Sequence, residues 1–215
     1  YDVEVYFRSG RTPEQQTQFK QELEAYSDKI LFFYQVSGEI SAGEQTRDIY
    51  IMAASDELTD FIDLHRDGAA IAMPGENEVL LSAGMADILG VKTGDHVELR
   101  NPDMQTLSVT VAGIYENHVY NYAIVTPDTI AHQWGQEPGQ QMAFLCVREG
   151  RNPSITGAAA NRLDGVANVT VSQELAKTVN SMMAALDLVV VVVVICAGIL
   201  AVIVLYNLTN ININE

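Results

Sequence analysis

Five titratable residues in the first third of the chain lie close enough in sequence to form a site. Asp56, Asp60 and Asp63 would share one face of a helix at positions i, i+4 and i+7, with Glu57 and His65 beside them. Carboxylates in that arrangement could contact a calcium ion or a cationic peptide. Helix N-termini also favour acidic side chains through the helix dipole, so a solvated face at a capped helix start explains the same pattern without a ligand.

The sequence contains none of the common catalytic motifs. It has no G-x-S-x-G, no H-E-x-x-H, no Walker A loop and no Cys-x-x-Cys. The four histidines (His65, His96, His118 and His132) fall in separate predicted elements, without the spacing of a metal site. We therefore predict no enzymatic activity, no catalytic residue, no cofactor and no metal, and any ATP hydrolysis would belong to another polypeptide.

Aromatic residues are concentrated between residues 115 and 134. Tyr115, Tyr120 and Tyr122, with His118 and Trp134 nearby, could form an exposed surface for a protein partner or a lipid. Aromatic side chains are also common in β-strands because they pack well on a pleated sheet. Burial in the fold is therefore the alternative explanation.

The segment Leu188–Tyr206 decides the class of protein. It has nineteen apolar residues without a charge. As a helix it would extend about 28 Å, close to the thickness of the bilayer core, and its insertion would be favourable by about 6–10 kcal/mol. A fully buried core helix is the alternative, but the length and composition predict a transmembrane helix.

The second half of this segment and the residues after it have the composition of a helix that packs against other helices. Three of them are small and would allow close approach, and three asparagines would form a polar stripe; capping and solvation of the helix end would account for the asparagines equally well. The positive-inside rule gives no orientation, because no Lys or Arg follows Lys177. The predicted packing residues are Ala197, Gly198, Ala201, Asn207, Asn210 and Asn214.

The net charge of −16 makes nucleic acid an unsuitable partner, since phosphate backbones require a basic surface. An acidic surface attracts cationic peptides or divalent cations, although solubility alone also accounts for it. Cys146 and Cys196 are poorly placed to pair, because the second lies within the apolar segment. The opening residues carry no export signal, so we expect that signal, and another span, upstream of Tyr1.

The elements that would position these residues alternate between strands and helices. The first third predicts β-α-β-β-α: a strand to Phe7, a helix capped by Thr12 with Gln15 completing a capping box, and two strands across a Gly38–Gly43 turn. A short helix capped by Ser55 would follow.

The middle of the chain predicts a β-rich unit. Its strands are Glu78–Leu81, a strand after the Gly94–Asp95 turn, and Thr106–Tyr115, with Tyr120–Val125 as the return strand of the last. A β-α-β pattern resumes from Met142 to Val171, and a continuous helix would run from Ser172 through the apolar segment.

This order predicts an α+β fold: a split β-α-β (ferredoxin-like, porter-like) subdomain with a small β-rich inserted subdomain, followed by a long helix continuing into one transmembrane helix. The predicted parts are residues 1–68 and 141–171 for the two halves of the porter-like subdomain, 69–140 for the insert, 172–187 for the stem helix, 188–206 for the transmembrane helix and 207–215 for its polar end.

Two stretches resemble a known family. EVLLSAGMADILGVKTGDHVELR followed by VTVAGIYENHVYNYAIVTP, and the tail LDLVVVVVVICAGILAVIVLYNLTNININE, are similar to the extracytoplasmic domain and following helix of FtsX/MacB-like ABC transporter permeases. The resemblance implies a cytoplasmic P-loop ATPase subunit and a second permease copy or homologous half as partners. It also implies the bacterial cell membrane as location, with residues 1–187 on the extracytoplasmic side, and contact with membrane lipid and with a lipid, lipoprotein or peptide substrate.

Such a subunit would couple ATP hydrolysis by its partner to export, extraction or mechanical signalling. The alternative is an extracytoplasmic ligand-sensing domain of a membrane receptor such as a histidine kinase. A membrane-anchored hydrolase is a third possibility, which the absence of a nucleophile motif disfavours. Further apolar spans beyond Glu215 would favour the permease, and a kinase or signalling linker would favour the receptor.

Overall fold

One long strand, Ser27–Ala42, takes part in two different sheet regions. The structure is a computed structural model that describes residues 1–117 and 120–213. In chain order the elements are β1 (Val3–Phe7), α1 (Pro13–Leu23), β2 (Ser27–Ala42), β3 (Gln45–Ala53), a 3₁₀ turn (Asp56–Asp60), β4 (His65–Arg66), β5 (Ala69–Ala70), β6 (Glu78–Ser82), α2 (Ala83–Leu89), β7 (His96–Arg100), β8 (Thr106–Tyr115), β9 (Tyr122–Val125), α3 (Pro127–Trp134), β10 (Met142–Val147), α4 (Pro153–Ala160), β11 (Val166–Val171) and α5 (Ser172–Ile213).

The first half of β2 belongs to an open antiparallel sheet with the order β11-β1-β10-β2. Helix α1 connects β1 to β2, and α4 connects β10 to β11, so each connection passes over one strand. Val3, Val5 and Phe7 of β1 are fully buried beneath these helices, where Phe19 and Leu23 of α1 complete the core.

The second half of β2 belongs to a closed barrel. Its strands follow the order β2-β3-β9-β6-β8-β7, and residues 39–41 of β2 pair with β7 to close the ring. Inward side chains such as Ile51, Leu99 and Leu107 fill the barrel. The strands predicted as a β-rich unit supply four of the six barrel strands, and β2 and β3 supply the other two.

A third core lies between the segment after β3 and the face of the open sheet that is opposite α1 and α4. Phe33 and Phe144 come from the sheet, and Leu58 and Phe61 come from the segment that follows β3. Their burial joins the sheet to the barrel, because burying apolar surface is favourable in proportion to its area. Residues 1–172 accordingly form one compact unit.

Several local predictions are confirmed. Thr12 and Gln15 form the expected capping box: the backbone N–H of Thr12 donates to Gln15 Oε1 at 3.0 Å, and that of Gln15 donates to Thr12 Oγ1 at 3.4 Å. Gly90 ends α2 in the left-handed conformation, with φ of 68°. Helix α5 is continuous over 42 residues, about 63 Å at 1.5 Å per residue.

The predicted Gly38–Gly43 turn is wrong. Strand β2 continues through Gly38 to Ala42, and the turn consists of Gly43, with φ of 59°, and Glu44. Gly38 is required for a different reason: a Cβ there would lie 2.4 Å from the carbonyl oxygen of Arg100. The glycine lets the end of β7 approach β2 where the barrel closes.

The predicted pairing of Tyr120–Val125 with Thr106–Tyr115 is also wrong. Strand β9 pairs in parallel with β3 and antiparallel with β6, which separates it from β8. Alternation of apolar residues indicates which side chains face inward, but it does not identify the neighbouring strand.

Replacing Gly38 by alanine should destabilise the barrel closure. The new Cβ would also lie 2.8 Å from Ile51 Cδ1, and overpacking of this kind lowers the free energy of unfolding by about 1–3 kcal/mol. Urea unfolding followed by the fluorescence of Trp134, the single tryptophan of the chain, would measure it.

Gly84→Ala is the matched control. Its Cβ would meet only Asn121 Oδ1 at 3.4 Å, and alanine favours the helix α2 in which Gly84 lies. We expect Gly84→Ala to be neutral or stabilising. Equal stability of Gly38→Ala and the unaltered protein would contradict the close approach of β2 and β7.

Candidate functional site

The acidic segment around residue 56 does not form the predicted helix face. Asp56–Asp60 is a 3₁₀ turn of five residues, and Ser55 makes no side-chain capping bond. A 3₁₀ turn has three residues per turn, so spacings of four and seven do not align on one side. Asp60 instead binds Lys29, with 2.6 Å between Oδ2 and Nζ.

Two other members of the predicted set, Asp63 and His65, lie close to each other, and Glu116 lies beside His65. His65 Nδ1 is 3.3 Å from Asp63 Oδ2, and His65 Nε2 is 3.6 Å from Glu116 Oε2. Within residues 1–117 and 120–213, no group of three or more His, Cys, Asp or Glu side chains is arranged to hold a metal ion. The contacts seen here are close approaches between one imidazole and two carboxylates.

The structure brings part of the predicted aromatic surface together. Tyr120 is 66% exposed, whereas Tyr122 is half-buried and Tyr115 is only 4% exposed. The Tyr115 hydroxyl donates to the backbone carbonyl of Tyr122 at 3.5 Å. Tyr115 therefore supports this region from within the core, and Tyr120 is the member of the trio that a partner could contact.

Tyr50 of β3 joins these tyrosines, and the sequence did not indicate it. Its ring centroid lies 5.7 Å from that of Tyr120, edge to face, and 5.5 Å from that of Tyr122. Parallel pairing of β3 with β9 places Tyr50 directly opposite Tyr122. A contact between residues 72 positions apart has no local sequence signal.

Trp134 has different neighbours. It is the last residue of α3. Its ring contacts Tyr34 at 6.2 Å, and its Nε1–H donates to the carbonyl of Thr106 at 3.1 Å. His118 lies outside the described residues.

Burial controls the ionisation of the tyrosines that face the core. It raises the pKa of Tyr122 to about 12, and the negative charge of Glu4 is the next contribution. Burial also raises the pKa of Tyr115 and of Glu4. These groups favour their neutral forms because the interior solvates charge poorly.

A groove on the outside of the barrel lies next to the tyrosines. Its volume is about 650 Å³. The outer faces of β2 and β3 form its floor, and the segments around residues 101–104 and 120–121 also line it. Glu39, Asp48, Tyr50, Arg100, Met104 and Tyr120 contribute the larger side chains.

One ion pair spans the floor of this groove. Arg100 binds Glu39, with its Nε–H donating to Glu39 Oε2 at 3.1 Å and a second, closer bond from its terminal NH2 group. Strand pairing places Glu39 between Arg100 on β7 and Asp48 on β3. The groove thus combines aromatic rings with a charged cross-strand row.

Helix α5 includes five of the six predicted packing residues. Ala197, Gly198 and Ala201 are exposed, and a Cβ on Gly198 would meet no atom within 4 Å. The α5 backbone includes Asn207 and Asn210, whose side chains are not described, and Asn214 lies outside the described residues. Over the part of the chain that the structure covers, α5 is the one helix long and apolar enough to cross a membrane.

The burial of Tyr122 predicts a loss of stability at alkaline pH. The unfolded chain ionises this phenol near pH 10, whereas the folded protein retains the proton until about pH 12. The free energy of unfolding is therefore unaffected below pH 10 and falls between pH 10 and 12. In Tyr122→Phe that fall should be smaller by about 0.5–1 kcal/mol at pH 11, allowing for solvent screening.

Urea unfolding at pH 8 and pH 11 would measure this difference. The pH 8 value of each protein serves as its own reference, which separates the lost hydroxyl from the ionisation. An identical fall in the unaltered protein and in Tyr122→Phe would contradict the assignment.

Comparisons with known proteins give a fold but no sequence family. No protein-family model matches the chain, and no curated protein matches it. The structure is similar to the extracellular domain of the noncanonic ABC-type transporter YknZ from Gram-positive bacteria, with a TM-score of 0.54 and 15% identity over 78% of this chain and 99% of that one.

It is also similar to the periplasmic region of MacB from Actinobacillus actinomycetemcomitans. The TM-score is 0.52 and the identity 10%, over 83% of this chain and 92% of the other. Identities this low establish the fold alone. The chain is therefore an α+β protein with the fold of the YknZ extracellular domain and the MacB periplasmic region, and among the described residues an apolar helix long enough to cross a membrane follows it.

Proposed function

We propose that this chain is the extracytoplasmic domain and adjoining transmembrane helix of an ABC transporter permease subunit. The observation that carries the proposal is a domain with this fold followed, without a loop, by an apolar helix long enough to span a bilayer. One neighbour is the extracellular domain of an ABC-type transporter, and the other is the periplasmic region of MacB. Their fold favours a permease over a receptor of the histidine kinase class.

The subunit would act with partners that supply energy and complete the membrane core. A cytoplasmic P-loop ATPase would hydrolyse ATP, and a second permease copy or homologous half would pack beside α5. Ala197, Gly198 and Ala201 offer the small surfaces that let membrane helices approach closely. Asn207, Asn210 and Asn214 would add polar contacts at the far end of the helix.

We also propose a division of the soluble unit into two subdomains. We propose that residues 1–68 and 141–171 contain the two halves of a porter-like split β-α-β subdomain and that residues 69–140 are inserted between them, with residues 34–53 of the first part completing the barrel of the insert. The strand order β11-β1-β10-β2, with one helix in each crossover, is consistent with the split β-α-β arrangement. Residues 172–187 would then be the stem, 188–206 the membrane span and 207–215 its polar end.

The mechanism we propose is mechanical. Strand β11 ends at Val171 and α5 begins at Ser172, whose backbone N–H donates to the carbonyl of Asp2 at 2.9 Å. A helix that starts at a strand end and continues unbroken can transmit a displacement, because bending it requires breaking backbone hydrogen bonds. Movement of the membrane span, driven by the ATPase, would reach the outer domain through this stem.

The location would be the bacterial cell membrane, with residues 1–187 on the extracytoplasmic side. The outer domain would push, extract or release a lipid, lipoprotein or peptide, or would signal mechanically to a partner. We expect it to have no enzymatic activity of its own, since the chemical energy would come from the ATPase subunit.

Interrupting the stem should uncouple transport from ATP hydrolysis. In the full transporter, a flexible Gly-Gly-Ser-Ser insertion after residue 185 should abolish transport while ATPase activity continues, because the displacement no longer crosses a flexible joint. The matched control is an insertion of four alanines at the same site, which preserves a continuous helix. Transport that is equal in the two insertion variants would contradict the lever mechanism.

Charging the apolar helix should release the chain from the membrane. Two aspartates at Val191 and Val194 would cost about 5–7 kcal/mol, close to the whole insertion energy expected for the segment. Val191→Leu with Val194→Leu is the conservative control. The fraction of chain that stays in membranes after alkaline carbonate extraction should fall in the aspartate variant and be unchanged in the leucine variant.

A further inference from the structure

Next to the groove, part of the outer edge of β3 has no strand partner among residues 1–117 and 120–213. Strand β3 extends from Gln45 to Ala53, but β9 pairs only with Tyr50–Ala53. The backbone N–H of Tyr50 donates to the carbonyl of Asn121 at 3.0 Å, toward β9. Backbone groups alternate sides along a strand, so the N–H and C=O of Asp48 face the same way, beyond the end of β9.

Residues 45–49 of β3 therefore pair with β2 on one side, and no strand among the described residues pairs with them on the other. Unpaired N–H and C=O groups at a strand edge can accept a further strand. Recognition of an extended peptide by addition to a sheet edge uses this arrangement. The edge thus points to an extended polypeptide as the ligand.

Two residues that line the groove have unusual backbone conformations. Met104 has φ of 64° and Tyr120 has φ of 60°, and both side chains are about two-thirds exposed. The other non-glycine residues with positive φ in the described chain are Asp67 and Asn77, which are types that tolerate this conformation. Backbone strain that holds large side chains toward solvent is typical of binding surfaces.

The charges of the groove favour a cationic ligand. Arg100 is already bound to Glu39, and Asp48 makes no ion pair within the described residues. The rings of Tyr50 and Tyr120 lie edge to face in the same groove. A carboxylate beside tyrosine rings suits a lysine or arginine side chain, through an ion pair and cation–π contact. The net charge of −16 would also attract a basic segment.

We propose that the groove and the open edge of β3 together bind an extended, basic segment of a partner protein. The backbone of that segment would pair with the Asp48 edge, and a lysine or arginine side chain would lie between Asp48 and Tyr120. This inference goes beyond the transport role and does not depend on it, because the soluble unit alone supplies every residue involved.

A fluorescently labelled peptide can test the proposal on the full chain in an uncharged detergent. The probe alternates lysine with threonine over about six residues, the usual length of a strand. Fluorescence anisotropy gives its Kd. A second peptide with glutamate in place of lysine tests charge selection, and a third with N-methylated backbone tests strand pairing. We expect only the first to bind.

Variants locate the binding site. Asp48→Asn should raise the Kd by about five-fold, the effect of one exposed ion pair, and Tyr120→Gly should raise it while relieving the backbone strain. Asp67→Asn and Asn77→Gly are the matched controls, because they make the same types of change away from the groove. Both should bind as the unaltered chain does.

Hydrogen–deuterium exchange provides an independent readout. Bound peptide should slow exchange of the backbone amides of residues 45–49, where the edge is open. Equal binding of the glutamate peptide, an unchanged Kd in both groove variants, unchanged exchange at residues 45–49, or no binding of the lysine peptide at about 1 mM would each overturn the proposal.

Discussion

Backbone hydrogen bonding along β2 is the interaction on which the soluble unit depends. Residues 27–33 pair with β10 in the open sheet, and residues 34–42 pair with β3 in the barrel. The same strand also receives β7 and closes the ring. One segment thus supplies both the last strand of the open sheet and the strand at which the barrel closes, which explains why β2 is sixteen residues long. The close approach of β7 explains why position 38 of this strand is a glycine.

Barrel closure also creates the groove. Because β2, β3 and β7 are joined by pairing, Glu39, Asp48 and Arg100 form a row on the outer surface. Strand β9 pairs with only part of β3, so the tyrosines of both strands meet where the described partner of β3 ends. The distribution of charge, aromatic surface and open edge follows from one difference in strand length.

Helix α5 obeys a different constraint. Its valine-rich surface has no folded partner among the described residues, and β-branched residues favour strands. In a bilayer a strand would leave its backbone polar groups unsatisfied, whereas a helix satisfies them internally. A lipid environment would therefore account for a helix that intrinsic propensity alone would not predict.

The sequence by itself determined the features that arise from neighbouring residues. The capping box of Thr12, the helix end at Gly90 and the continuous apolar helix depend on contacts within a few positions, so composition and spacing predicted them. Alternation along Thr106–Tyr115 likewise indicates that Leu107, Val109 and Val111 share one face of a strand, and all three are buried in the barrel. The acidic set at Asp56 was misassigned because α- and 3₁₀-helical turns share much of their local pattern.

Only the tertiary structure decided which strands are neighbours. It placed β9 against β3 and β6 and joined β2 to β7, which brought Asp48, Tyr50 and Tyr120 to one groove. Trp134 instead packs against Tyr34. Every strand offers the same backbone donors and acceptors, so pairing between distant segments is selected by the packing of the whole core rather than by any local signal.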